Sequence, residues 1–267
     1  MSSLYRSVAA WRHTFEAVLS IGPSLSDPEW ASPTECPKWT VKDVYAHLIG
    51  GERWMAAGHP LPEEGIDAWT AGPVLARREV APTAILDELR EVYEQRLIQL
   101  ERDGLDPDLP THLATGRPAT AEQLLRSRVM DAWVHEQDIR RAVGRPGNLA
   151  SPAAAIAGDL FVAVLPRIVA KNASGRAGSG GGTAAPATAL RLTTTGEVTI
   201  DVAVAVDRSG RGALVAPDRR AAAQITLGWE AYTRLSCGRG GRGDYEIRVA
   251  GDRALADRVL ANLTITP

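Results

Sequence analysis

Lysine is almost missing from this chain: Lys38, Lys42 and Lys171 are the only three, and arginine carries nearly all of the positive charge. With the abundant alanine and glycine, that skew is what GC-rich codons produce, and it points to a high-GC bacterial genome. Cysteine is as scarce. Cys36 and Cys237 stand far apart, which argues against a disulfide framework and predicts two reduced thiols. No run of lysine and arginine builds a basic surface, and the net charge is −2, so neither nucleic acid nor a membrane is an expected partner. The opening residues from Met1 to Val8 lack the charged lead and apolar core of a signal peptide. No apolar stretch of about 18 residues is expected to span a bilayer, and the cytoplasm is the expected compartment.

What the chain does have is 267 residues, 45% of them hydrophobic, enough to bury a real core and to favour two modest domains. Leu4, Val8, Trp11, Phe15 and Val18 recur at intervals of three and four, the apolar stripe of a first helix that stops near Gly22-Pro23. Thr40 with Asp43 reads as a capping box for a second helix carrying Val41, Val44 and Leu48 and closing before Gly58-His59-Pro60. After a turn-rich connection, Pro82-Thr83 opens a third, with Ile85, Leu89, Val92, Leu97 and Leu100 inward until Gly104. Thr120 and Gln123 cap a fourth, which runs to the Gly144-Arg145-Pro146-Gly147 stop. Four such helices predict a four-helix bundle over residues 1–148.

Residues 149–267 predict a small mixed α/β domain, so the fold class is α+β. Ala153 to Val169 reads as helix, and 172–185, rich in glycine, serine and alanine, as a mobile loop. Strands are expected at Ala189–Thr195, Val198–Val206, Gln224–Leu227 and Tyr245–Val249, with short helices from Trp229 and from Asp252. Three or four antiparallel strands backed by helices would account for the pattern.

Asp131 and His135 sit four apart on the fourth helix, on one face, and His47 lies on the second, beside its buried stripe. A carboxylate and two imidazoles suit zinc or a similar divalent ion, and three ligands leave a position for water or a thiolate. The plain alternative is a buried hydrogen-bonded cluster, because Asp-x₃-His is common on helices.

The stretches Thr34-Glu35-Cys36-Pro37-Lys38-Trp39-Thr40-Val41-Lys42-Asp43, followed by His47-Leu48, and Asp131-Ala132-Trp133-Val134-His135-Glu136-Gln137-Asp138-Ile139-Arg140 resemble the two signatures of the mycothiol-dependent maleylpyruvate isomerase family, DinB-like helical bundles. Trp229, Arg234-Leu235, Gly238-Arg239, Gly251-Asp252 and the final residues from Asn262 to Pro267 are similar to the sterol-carrier-like C-terminal domain of these proteins. The resemblance implies a divalent metal, usually zinc, on His47, Asp131 and His135, with the sulfur of mycothiol entering the open position as thiolate. The family's maleylpyruvate isomerases have glutamate where this chain has Asp131, one methylene shorter, which weakens any claim to their particular substrate.

Around these residues, Asp138 is placed either to hold the second nitrogen of His135 or to pair with Arg141 on the helix surface. Arg239, in a glycine-rich turn with Arg242, is the C-terminal-domain arginine that the resemblance would bring to the active cleft. Trp54 and Trp133 are candidates for lining a ligand pocket, with packing as their default, and Trp39 reads as bundle core. Cys36, His13, His59 and His112 are not expected to act. The reading is an enzyme that joins mycothiol to a small electrophile, or isomerises a double bond with its help. A non-catalytic small-molecule-binding protein with a structural metal site is the alternative, and thiol-dependent consumption of an electrophile separates the two.

Overall fold

The protein's structure is a computed structural model, and it describes residues 3–57, 66–113, 115–173, 188–217 and 220–265. His59 and the part of the expected loop from 174 to 185 lie outside them. Contacts divide the chain into two compact units, Met1–Ala157 and Gly158–Pro267. The break falls inside a helix rather than after residue 148.

In the first unit, α1 (Ser3–Ile21) buries Val8, Trp11, Phe15 and Val18 on one stripe and ends in a 3₁₀ turn at Gly22–Ser24, where Pro23 offers no N–H. A single turn, α2 (Asp27–Trp30), follows, closed by the Ser26–Glu29 capping box. The expected Thr40 cap opens α3 (Val41–Ala57): the Thr40 N–H and Oγ–H donate to Asp43 Oδ2 at 2.9 and 2.8 Å. The turn-rich connection holds a helix, α4 (Ile66–Ala76), which Gly72-Pro73 hides in the sequence. Its Pro73 ring packs where a Cβ on Gly50 of α3 would stand, and that tertiary fit overrides weak local propensity.

Next, α5 (Pro82–Leu97) begins with proline in its first turn and runs into a π-helical turn at Ile98–Asp103, stopped by Gly104 at φ 78°. A hairpin of β1 (Pro110–His112) and β2 (Pro118–Thr120), not expected from the sequence, leads to α6 (Ala121–Ala142). Thr120 Oγ accepts the Gln123 N–H at 3.3 Å, and Gln123 Oε1 accepts the Thr120 N–H at 3.0 Å, completing the predicted cap. Helix α1 packs on α5 and α6, and α3 packs on the same two, so the order around the bundle is α1–α6–α3–α5. The second and fourth expected helices are therefore neighbours.

Helix α7 (Pro152–Ala173) crosses between the units. It corrects the expectation that no apolar stretch could span a bilayer, since its length and composition suffice, with Asp159, Arg167 and Lys171 its only charges. Half of its most apolar window is buried within the protein.

Among its described residues the second unit has five strands, not three or four: β3 (Thr188–Thr195), β4 (Asp201–Val206), β5 (Gly212–Val215), β6 (Ala221–Gly228) and β7 (Ile247–Gly251), in the order β5-β4-β3-β6-β7. They are not all antiparallel, because β6 returns beside β3 and pairs with it in parallel. Thr194 accounts for the late start of β4: its Oγ accepts the Ile200 N–H and donates to the Val198 carbonyl, drawing 198–200 into the turn. In β6 alternate residues Ala223, Ile225 and Leu227 point inward. They meet a core that includes Trp229 and Tyr232 of α8 (Trp229–Ser236) and Val259 and Leu260 of α9 (Arg253–Ala261).

Candidate metal centre

Packing α3 against α6 brings His47, Asp131 and His135 together, with one donor atom from each within 4.8 Å of the others. His47 Nε2 lies 3.3 Å from Asp131 Oδ2, and His135 Nε2 lies 3.8 Å from Asp131 Oδ1. Ligands about 2.0–2.1 Å from a tetrahedral zinc ion sit roughly 3.3–3.4 Å from each other, so donors that lie within 4.8 Å of one another must draw together to hold such an ion. Both imidazoles are buried, and Asp131 keeps 30% of its side chain exposed, which leaves the open side of the site at the carboxylate.

Burial holds the His47 imidazole below its ordinary pKa, against the pull of Asp131, which keeps it the neutral base that a metal ligand must be. Asp131 is also pushed upward by burial, but Arg128, His47 and His135 outweigh that and hold its carboxyl far below the usual range. It is an anion at any physiological pH.

On α6, Arg128, Asp131, His135 and Asp138 follow at spacings of three, four and three, one per turn on one face. The His135 Nδ1–H donates to Asp138 Oδ2 at 3.0 Å, which turns Nε2 toward Asp131. Arg141, the other partner considered for Asp138, pairs with Glu35 at 3.1 Å. At the other end, Arg128 Nη1 donates to Asp131 Oδ2 at 2.7 Å, and its Nε donates to Glu52 of α3 at 3.2 Å.

Glu52 is fully buried and takes two further donors, Trp11 Nε1 at 3.2 Å and Arg96 Nε at 3.3 Å. One side chain from each bundle helix therefore meets at this carboxylate, next to the candidate ligands. Gly51 gives Arg128 its room, since a Cβ there would strike the guanidinium.

Aromatic rings close over the histidines. Trp39 is half-buried rather than in the bundle core, with its ring 4.8 Å from His47 and 5.6 Å from His135, and Trp69 of α4 meets His47 edge-on at 5.9 Å. Trp54 stands behind Trp69 at 5.6 Å and lines a cleft of 680 Å³ with Arg53, Gln95 and Ile98. Trp133 is buried, its indole N–H donating to the Asn148 carbonyl at 3.1 Å.

Arg239 lies in the second unit, 3% exposed, and donates to the Cys237 carbonyl at 2.7 Å, while Arg242 pairs with Asp257. Exposed His13 meets Asn148 at 2.9 Å, and His112 sits in β1. Arg128, Glu52, Trp39 and Trp69 are absent from the set expected from sequence. The regular 128–131–135–138 spacing carried a signal for Arg128, whereas Trp69 lies on the helix that the sequence hides.

Residues 11–140, which contain all three candidate ligands, match the family model described as the mycothiol maleylpyruvate isomerase N-terminal domain. Two crystal structures of a mycothiol-dependent maleylpyruvate isomerase, one of them of a mutant, share the fold. Their identities to this chain are 15% and 16%, each with a TM-score of 0.56 and with 92% of both chains covered. No curated protein matches. The bundle, the two signature stretches it brings together and the matched family model lead to one conclusion: residues 11–140 are an N-terminal domain of the mycothiol maleylpyruvate isomerase family.

Proposed function

We propose that this protein is a metal-dependent enzyme that uses mycothiol as thiol cosubstrate, either joining it to a small electrophile or isomerising a double bond with its help. The observation that carries the reading is the convergence of His47, Asp131 and His135, two imidazoles and an anionic carboxylate, within reach of one divalent ion. These three would hold the ion, with zinc the choice by donor type. A bound divalent cation acidifies a thiol that meets it, so that thiolate is present at neutral pH.

The chain's own residues prepare that chemistry. Asp138 orients His135, and Arg128 keeps Asp131 charged and in place. Trp39 and Trp69 keep water from the imidazoles, and the exposed edge of Asp131 marks the side from which small molecules arrive. Mycothiol is carried over from the family and from the crystallised isomerase, whereas maleylpyruvate is not, because Asp131 is one methylene shorter than that family's glutamate. Transfer and isomerisation share thiolate attack on the electrophile and differ only in whether the sulfur leaves again. The proposed compartment is the cytoplasm.

The test combines elemental analysis of the purified chain with a panel of small thiols and a reactive electrophile. About one equivalent of metal and consumption with mycothiol are expected; His135→Ala loses most of both, and Cys36→Ser keeps most of the activity. Less than about half an equivalent after loading returns the triad to a buried hydrogen-bonded cluster. Equal loss in the two variants overturns the assignment of the nucleophile to mycothiol.

A further inference from the structure

The two nitrogens of His135 face two different carboxylates. Nε2 looks toward Asp131 at 3.8 Å and on to His47. Nδ1 meets Asp138 at 3.0 Å, and the Cys36 sulfur, a His135 nitrogen and an Asp138 oxygen all lie within 4.8 Å of one another. All three of these residues are buried. Cys36 reaches this place through a tight turn in which Lys38 adopts φ 69° and the Trp39 N–H donates to the Cys36 carbonyl at 3.1 Å. That turn sends Trp39 toward both imidazoles and the thiol toward the His135–Asp138 pair.

We propose that Cys36, His135 and Asp138 form an alternative cation site, selective for a thiophilic d¹⁰ divalent ion such as Cd²⁺. Thiolate, imidazole and carboxylate make a softer set than the two imidazoles and carboxylate around Asp131, and thiolate is the ligand that such ions prefer. The sites exclude each other, because a neutral imidazole offers one lone pair. With Nδ1–H bonded to Asp138, Nε2 is the ligand and the His47 set is complete. When Cd²⁺ takes Nδ1, that proton moves to Nε2, Cys36 releases its thiol proton to solvent, and no electron changes hands. The His47 set is then one donor short.

The Cys36 site rests on donor geometry alone; only the exclusion rests on the metal reading proposed above, and neither depends on mycothiol. The full-length chain, stripped with a chelator, is titrated with Cd²⁺ while the ultraviolet thiolate-to-cadmium charge-transfer band is followed. The band is expected to saturate at one equivalent in the wild type, in His47→Ala and in Cys237→Ser, and to vanish in Cys36→Ser and Cys36→Ala. In chain preloaded with Zn²⁺, a chromogenic chelator is expected to report one Zn²⁺ released per Cd²⁺, with at least tenfold more Cd²⁺ needed in Cys36→Ser. No band in the wild type, a band persisting in both Cys36 variants, or its loss in His47→Ala overturns the site. Cd²⁺ and Zn²⁺ bound together, one equivalent each, overturn the exclusion.

Discussion

Replacing Glu52 by glutamine keeps its shape and removes one buried negative charge. The carboxylate is fully buried and accepts from Trp11, Arg96 and Arg128, whose guanidiniums are 8% and 5% exposed. In the variant both cations face a neutral amide. Breaking a buried ion pair from one side costs about 3–5 kcal/mol, because the remaining charge stays out of water. Arg96 retains Gln99 Oε1 at 2.6 Å and Arg128 retains Asp131, so the lower end applies, about 3 kcal/mol. For a unit the size of Met1–Ala157, each kcal/mol moves Tm by about 2–4 °C, giving a drop of roughly 6–12 °C. Calorimetry of the metal-stripped chain measures it without a contribution from ligation. Adding Arg96→Met removes one stranded charge and should restore part of the loss. A fall below about 2 °C, or a double variant less stable than the single one, would refute the claim that this carboxylate ties the four helices together.

Three further outcomes test other parts of the fold. Thr120→Ala removes the cap of α6 and should cost about 1 kcal/mol, read from denaturant unfolding; an unchanged midpoint sinks the capping argument. Gly50→Ala drives a methyl into the Pro73 ring and should destabilise by about 1–3 kcal/mol, whereas a gain in Tm would mean that α4 does not pack there. Glu88 accepts from Arg77 at 2.7 Å and from Arg53 at 2.7 Å, and those hydrogen bonds hold its carboxyl below the usual range despite burial. Its stabilisation is therefore complete above the unfolded carboxylate range and fades as pH falls below about 4. The stability gap between wild type and Glu88→Gln should close on acidification from pH 5 to pH 3; a constant gap contradicts the linkage.

The bundle was legible because its signals are local: stripes such as Val8–Trp11–Phe15–Val18 and caps such as Thr40–Asp43 are written within a few residues. Helix α4 was not, since Gly72-Pro73 reads as a breaker and only the Gly50 contact on another helix explains it. The β3–β6 pair joins segments with two strands between them, a pairing no local pattern declares, and β5 is four residues long. Of the site, the 131–135 spacing was visible and so was Asp138 three residues on. Glu52 reads merely as a charged helix residue, because its burial depends on Trp11, Arg96 and Arg128 arriving from three other helices.

Charge balance around Glu52 bears on what this pocket attracts. Three carboxylates, Glu52, Asp131 and Asp138, stand among two guanidiniums, Arg96 and Arg128, leaving the neighbourhood one unit negative. A divalent ion inverts that sign to one unit positive in a setting of low dielectric constant, where fields reach further than in water. The loaded pocket would then draw anions and the empty one repel them, and the capture rate of acidic small molecules would fall as ionic strength rises.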